Sequence, residues 1–385
     1  MALPRTSKGT LEFYHDPTTK TLSVSGSVAG DLALSIGLDH VRRLSDSTGI
    51  LEHAEGAIGR REDGYCTDDV ARQLLVATLY SRDAGALAMA EQALEFLRHA
   101  GLERGRFRSR MNYARIWKDD GASDDAAGRA LWCLGTASSH APWPHVRRGA
   151  LMLFDHGCAF RSAHWHATAF ATLGARAVLD RYPDNAGANE LMFSAAQSLP
   201  KPPRDSSWKW HEPNLTYASA VLPDALLALS CCEQSRTEEG LMLLQWLATM
   251  TIQNGRFSAV PTNGLREGDK RPGFDQQPIE AQAFASAAWR AWLLTNDTHW
   301  LELLVLAASW FVGHNDSLIA LVDWETHGCF DGLQPSGRNE NQGAESTLAM
   351  LHVMAILDEA IGAGAVFLYS DCEPECTAGS DNEES

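Results

Sequence analysis

The sequence predicts an all-α fold, an (α/α)6 toroid of six helical hairpins with short β elements at the N-terminus and in the mouth loops. Three observations predict it. The helical apolar period recurs in twelve stretches, each read in windows of about eighteen residues. Every second stretch opens on a polar or carboxylate cluster that a plain amphipathic helix does not need. Connectors into these clustered starts are mostly long, whereas those leaving the same helices are short.

Along the chain, residues 11–27 alternate weakly and predict a short hairpin. The odd helices are read at 29–45, 85–99, 143–157, 186–198, 237–252 and 299–313, and carry charge on one face, as in Ala90-Glu91-Gln92-Ala93-Leu94-Glu95-Phe96-Leu97-Arg98. They form the outer layer. The even helices, at 67–82, 124–139, 163–181, 214–231, 279–295 and 343–360, are apolar on most sides, as Ala281-Gln282-Ala283-Phe284-Ala285-Ser286-Ala287-Ala288-Trp289 shows, and are the inner layer. Long links run over 46–66, 100–122, 199–213, 253–277 and 314–342, and three of them carry Gly-X-Phe, at Gly105-Arg106-Phe107, Gly255-Arg256-Phe257 and Gly328-Cys329-Phe330. The expected organisation is an N-terminal extension over 1–27, the toroid over 28–362 and an acidic, disordered tail over 363–385.

A net charge of −17 argues against nucleic acid or an anionic membrane surface as partner. No run of about eighteen apolar residues predicts a membrane span, and the N-terminus has no secretory pattern, so no membrane insertion and a cytoplasmic location are expected. Cys133, Cys158, Cys231 and Cys232 lie in apolar helical surroundings and read as reduced thiols. Phosphate-loop, dinucleotide and nucleophile-elbow patterns are missing, and no cofactor or metal is expected.

The inner helices open at Gly64-Tyr65-Cys66-Thr67-Asp68-Asp69, Ser123-Asp124-Asp125, Ser162-Ala163-His164-Trp165-His166, His211-Glu212-Pro213-Asn214, Phe274-Asp275-Gln276-Gln277-Pro278-Ile279-Glu280 and Asn339-Glu340-Asn341-Gln342-Gly343-Ala344-Glu345. Run parallel in a closed ring, they bring all these starts to one mouth. Each acid alone is explained by capping, which favours carboxylates at a helix N-terminus. The doubled acids Asp68-Asp69 and Asp124-Asp125 exceed what capping needs. Crowded carboxylates separate in proton affinity, as glycosidic-bond cleavage requires of an acid and a base. The expected catalytic set is Asp69, Asp125, Glu280 and Glu345, with Glu280 or Glu345 as acid and Asp69 or Asp125 as base. Expected substrate contacts are Asp68, Arg72, Trp117, Arg129, His166, Trp210, Glu212, Asp275, Gln276, Gln277, Trp324, Asn341 and Gln342, because indoles stack on sugar faces while amides and charges bind hydroxyls.

At His40-Val41-Arg42-Arg43-Leu44 to Ile50-Leu51-Glu52-His53-Ala54, at Gly64 to Asp69, at Gly128-Arg129-Ala130-Leu131-Trp132, at Phe274 to Ala281 and at Asn341 to Ser346, the chain resembles a bacterial α/α-toroid family related to six-hairpin glycosidases. Members often carry a glycosyltransferase label because the module occurs beside or fused to glycosyltransferase domains. The family usually has Asn at the position of Val70, and an acid and an amide at those of Ala218 and Ser219. The resemblance implies carbohydrate chemistry. The expected function is cleavage of a glycosidic bond in an oligosaccharide or polysaccharide fragment. The alternatives are a glycan-binding partner of a glycosyltransferase without chemistry of its own, and a phosphorylase or glycosyl-transfer enzyme.

Overall fold

The computed structural model describes residues 11–118, 122–269 and 273–369. Thirteen α-helices carry the fold among these residues. They are α1 (Ser27–Leu32), α2 (Asp39–Leu44), α3 (Thr67–Leu79), α4 (Ala86–Ala100), α5 (Asp124–His140), α6 (Pro144–Gly157), α7 (Trp165–Arg181), α8 (Ala186–Ser198), α9 (Val221–Ala228), α10 (Ser235–Thr251), α11 (Pro278–Thr295), α12 (Thr298–Phe311) and α13 (Ala344–Gly362). Helices α3, α5, α7, α9, α11 and α13 each pack on the next, and α13 packs back on α3, which closes an inner ring. The remaining helices surround it, so the chain is an (α/α)6 toroid.

Glycines set the closest approach within the ring. A Cβ on Gly128 would come 2.4 Å from the Ala167 carbonyl oxygen, and one on Gly135 would come 2.2 Å from that of Gly174. The equal step along both helices shows that α5 and α7 run parallel with backbones nearly touching, which no larger residue permits. Parallel inner helices put their N-termini, and the loops that lead into them, at one end.

Three boundaries differ from the sequence expectation. The first outer stretch, expected over 29–45, is two short helices, α1 and α2, separated at Ser35 and Gly37, which are poor helix formers. The fourth inner helix begins at Val221 rather than 214, because Asn214–Leu215 pair as a strand with Leu265–Arg266 and Ala218 takes a left-handed φ of 49°. The expected N-terminal hairpin pairs Glu12–Asp16 with Thr21–Ser25. To this hairpin Val366–Tyr369 adds a parallel third strand, with Val366 fully buried. The acidic tail therefore does not start at 363. Its first residues are ordered by alternating burial that the average composition of the segment obscured, and residues 370–385 lie outside the described residues.

Candidate functional site

The mouth holds two neighbouring cavities. The first, of about 450 Å³, is lined by Glu52, Asp68, Asp69, Arg72, Arg110, Gln277, Asp331, Asn341 and Glu345. Its centre is Arg72, 4 % exposed, whose Nη1 donates to Asp69 Oδ1 and Nη2 to Glu345 Oε2, both at 2.7 Å. Residues three apart on α3 bring Arg72 to Asp69, and ring closure brings α13 to the same guanidinium. Burial, with Glu345, Asp68 and Glu52 adding to it, pushes Asp69 up to about 8 despite Arg72. Burial acts on Glu345 in the same direction, but Arg72 and Arg129 outweigh it and hold its carboxyl below the usual glutamate value. Glu345 also keeps 43 % of its side chain open to solvent, against 5 % for Asp69. Two carboxylates on one guanidinium thus favour opposite protonation states. Burial also raises Asp68, whose Oδ1 is buried without a partner among the described residues.

The second cavity, of about 710 Å³, is lined by Asp124, Asp125, Trp165, His166, Glu212 and Tyr217 among others. Tyr217 donates its hydroxyl to Asp125 and stacks on His166, with ring centroids 4.4 Å apart and planes within 5°. The Tyr217 carbonyl only accepts, so His166 Nε2 carries the proton of their 2.8 Å bond and Nδ1 keeps its lone pair. Burial pushes His166 down to about 4, which leaves it neutral at pH 7. Between the cavities lies Arg129, 2 % exposed, its Cζ 4.1 Å from the Phe170 ring centroid and its Nε 3.9 Å from Asp68 Oδ2. Its Nε and Nη1 have no hydrogen-bond partner among the described residues.

Capping does not account for these acids. Ser123, not Asp124 or Asp125, caps α5 by accepting from the Ala126 amide at 3.3 Å. Glu280 accepts from the Ala218 amide, on another segment, and burial pushes it up to about 8. It lies behind the mouth and lines neither cavity. The four expected catalytic residues therefore divide. Asp69 and Glu345 share one cavity, Asp125 faces the other, and Glu280 is buried in the wall.

The expected substrate contacts divide as well. Asp68, Arg72, Gln277 and Asn341 line the first cavity, and His166 and Glu212 the second; Arg129 lines neither but lies beside Asp68 of the first and the Tyr217 ring of the second. Trp117 instead packs on Phe96 and His99, at 5.4 and 5.5 Å between centroids. Trp210, 1 % exposed, stands edge-on behind Trp165 as its support. Gln276 is fully buried, accepts from Trp310 Nε1 at 2.9 Å and donates to Asp316 at 2.7 Å, which makes it a structural latch. Gln342 is a second latch, donating to Asp323 at 2.7 Å and accepting from Thr326 at the same distance. Trp324 packs half-buried against the core, and Asp275 is exposed; neither lines the two cavities.

The residues of the site not singled out as contacts from sequence include Tyr217, Glu52, Arg110 and Asp331. Tyr217 stood inside an expected helix, and only the Glu52 segment carried a signal, through the family resemblance. Ligand atoms of Glu52, Cys66 and Asp69 lie within 4.8 Å of one another, the closest approach to a metal-ligand set among the described residues. Arg110 already binds Glu52 at 2.7 Å and Arg72 binds Asp69, while burial raises the Cys66 thiol well above its usual value, so the trio is matched by guanidinium charge rather than shaped for a cation.

No protein-family profile and no curated protein matches the sequence. Solved structures share the fold. A sugar epimerase from a ruminal bacterium superposes with a TM-score of 0.64 at 10 % identity, covering 86 % of this chain and 98 % of that one. The cellobiose 2-epimerase of Bacillus thermoamylovorans does so with 0.64 at 11 %, over 86 % and 98 %. An α-1,6-mannanase of Salegentibacter, an inactive variant in complex with α-1,6-mannotriose, gives 0.55 at 13 %, over 86 % and 97 %. No helix among the described residues is long and apolar enough to cross a membrane.

Proposed function

We propose that the protein is a carbohydrate-active enzyme that cleaves a glycosidic bond, with Asp69 as general acid and Glu345 as base or nucleophile. The observation that carries this reading is Arg72, which binds both carboxylates in one cavity while their proton affinities diverge. Cleavage needs one carboxyl that keeps its proton near neutrality to protonate the leaving oxygen, and a second that is ionised and open to water. Asp69 and Glu345 meet these requirements in the order opposite to the one expected from sequence. The Trp165, His166 and Tyr217 rings give an apolar platform for a neighbouring sugar unit.

The fold relatives support carbohydrate as substrate class. In the inactive mannanase, two adjacent aspartates are replaced by asparagine, and adjacent acids also open α3 and α5 in this chain. A second reading, epimerisation or isomerisation of a free sugar, is favoured by one observation. His166 is held neutral with a fixed tautomer, as a base that removes a proton next to a carbonyl must be.

The test is a panel of oligosaccharides and reducing sugars incubated with purified protein, with and without phosphate, and read by chromatography and NMR. Shortened products support cleavage, and sugar phosphates formed only with phosphate support phosphorolysis. A changed reducing sugar of the same length replaces cleavage by epimerisation. Tight binding without any product replaces it by a glycan-binding partner of a glycosyltransferase.

A further inference from the structure

Beside the mouth, residues 98–110 hold Arg98, Arg104, Arg106, Arg108 and Arg110 against a single acid, Glu103, in a chain whose 49 acids outnumber its 32 Lys and Arg. The segment after Gly105 is extended. Arg106 has φ −90° and ψ 154°, Arg108 bridges to Ala122, and Arg110–Met111 pair with Tyr65–Cys66. Phe107 and Met111, 3 % and 1 % exposed, turn into the core, so Arg106, Arg108 and Arg110 form a stripe on the other face, about 13 Å long at ~3.3 Å per residue. At its inner end Arg110 holds Glu52 in the first cavity.

The outer end is a built groove. Arg104 and Gly105 take left-handed φ values of 58° and 71°, and a Cβ on Gly105 would lie 2.2 Å from the Gly157 carbonyl oxygen and 2.6 Å from the Phe160 nitrogen. Only glycine lets this turn press on the end of α6. The contact sets Arg104 and Arg106 beside Arg161 around a groove of about 450 Å³ that Glu103, Asp124 and Phe160 also line. Arg161 is engaged with the Cys158 and Phe160 carbonyls and with Glu190. Asp124 accepts from the Ser162 hydroxyl and also lines the aromatic cavity, so the groove adjoins the mouth. Arg104 and Arg106 have no ion pair among the described residues.

Glu103 and Asp124 share the groove and Glu190 holds Arg161, so the guanidiniums left to a ligand are those of Arg104 and Arg106, whose planar forks match carboxylate and sulfate. We propose that this groove and stripe bind the acidic groups of an anionic glycan chain, uronate or sulfated, as it enters the mouth. The proposal rests on the glycan reading above and narrows it to acidic polysaccharide fragments.

The experiment measures affinity of the full chain by calorimetry for oligogalacturonides beside their fully methyl-esterified forms. Acidic forms should bind about tenfold or more tightly than uncharged ones at about 50 mM salt, with the gap shrinking at about 500 mM as screening shortens. Arg104→Asn with Arg106→Ser should erase the preference while leaving the melting temperature and the affinity for uncharged forms unchanged. Equal binding of both forms, or a preference that survives the double substitution, overturns this proposal alone. A preference that appears only when residues 370–385 are removed assigns the groove to the chain's own acidic tail and also overturns it. Binding of neither form overturns it together with the glycan reading.

Discussion

The two cavities of the mouth tune their side chains by different physics. Around Arg72 charge works against burial: one guanidinium serves Asp69 and Glu345, burial raises both, and Arg72 with Arg129 outweighs it only at Glu345. Around Tyr217 apolar burial dominates. Burial pushes His166 down and Tyr217 up, and the Asp125 carboxylate raises Tyr217 further. A region where charge opposes burial can divide acid from base, whereas one of stacked rings holds and orients. On the proposed reading, chemistry belongs to the first cavity and recognition to the second.

The largest effect is expected at Arg72's two partners. Glu345→Gln and Asp69→Asn should each lower turnover by about a hundredfold or more while binding persists, since each removes a proton-transfer group without removing its shape. Steady-state kinetics beside calorimetric affinity checks this. Wild-type turnover in both variants would break the comparison outright.

Next is a pH effect on stability. Asp69 titrates near 8 in the folded chain against 3.8 as an ordinary aspartate, so between these values the folded state binds more protons than the unfolded one. Stability should therefore fall as pH rises from about 4 to about 8 and level off above, the reverse of an ordinary salt-bridged carboxylate. Glu280 contributes with the same sign and Glu345 with the opposite one, below the usual glutamate value. Melting curves across pH 5 to 9 measure the slope, and Asp69→Asn should flatten it. A rising Tm over this range would place Asp69 as a permanently ionised partner of Arg72.

Much of this arrangement was legible because its causes are local. Acid pairs at helix starts, a three-residue Asp69-to-Arg72 step and the long connectors are visible in the chain, and parallel inner helices follow from their repeated polarity. What was not legible depends on distant partners. Gln276 and Gln342 read like Gln277, which lines the first cavity, but Trp310 and Asp323, elsewhere in the sequence, engage the first two. Trp117 and Trp210 likewise pack on Phe96 and Trp165. Val366–Tyr369 read as tail in the sequence because a short strand's partner, Thr21–Ser25, lies at the other end of the chain.

In the aromatic cavity the expected effect is smaller and falls on binding. Tyr217→Phe keeps the His166 stack and the backbone carbonyl but removes the hydroxyl bonded to Asp125. One hydrogen bond to a carboxylate is worth about 1.5–3 kcal/mol, so KM should rise roughly ten- to a hundredfold with kcat nearly unchanged. A fall in kcat at constant KM would move chemistry into this cavity and favour epimerisation through His166.

The smallest effect is expected at Glu280, and it marks the edge of the site. Its carboxyl is 6 % exposed, accepts from the Ala218 amide and titrates near 8, so at pH 7 it is mostly a neutral acid in the wall. Glu280→Gln exchanges that acid for an amide of the same shape, with the carbonyl oxygen still placed to accept from Ala218. Stability should change by less than about 1 kcal/mol and turnover by less than about fivefold, because no proton leaves the side chain in either form. Glu280→Ala should instead cost about 2 kcal/mol or more, since it orphans a buried backbone amide beside the left-handed turn at Ala218. Denaturant titrations and kinetics on the two variants separate wall from mechanism: a hundredfold loss of turnover in Glu280→Gln at unchanged stability would bring Glu280 into the reaction and leave the two-cavity division incomplete.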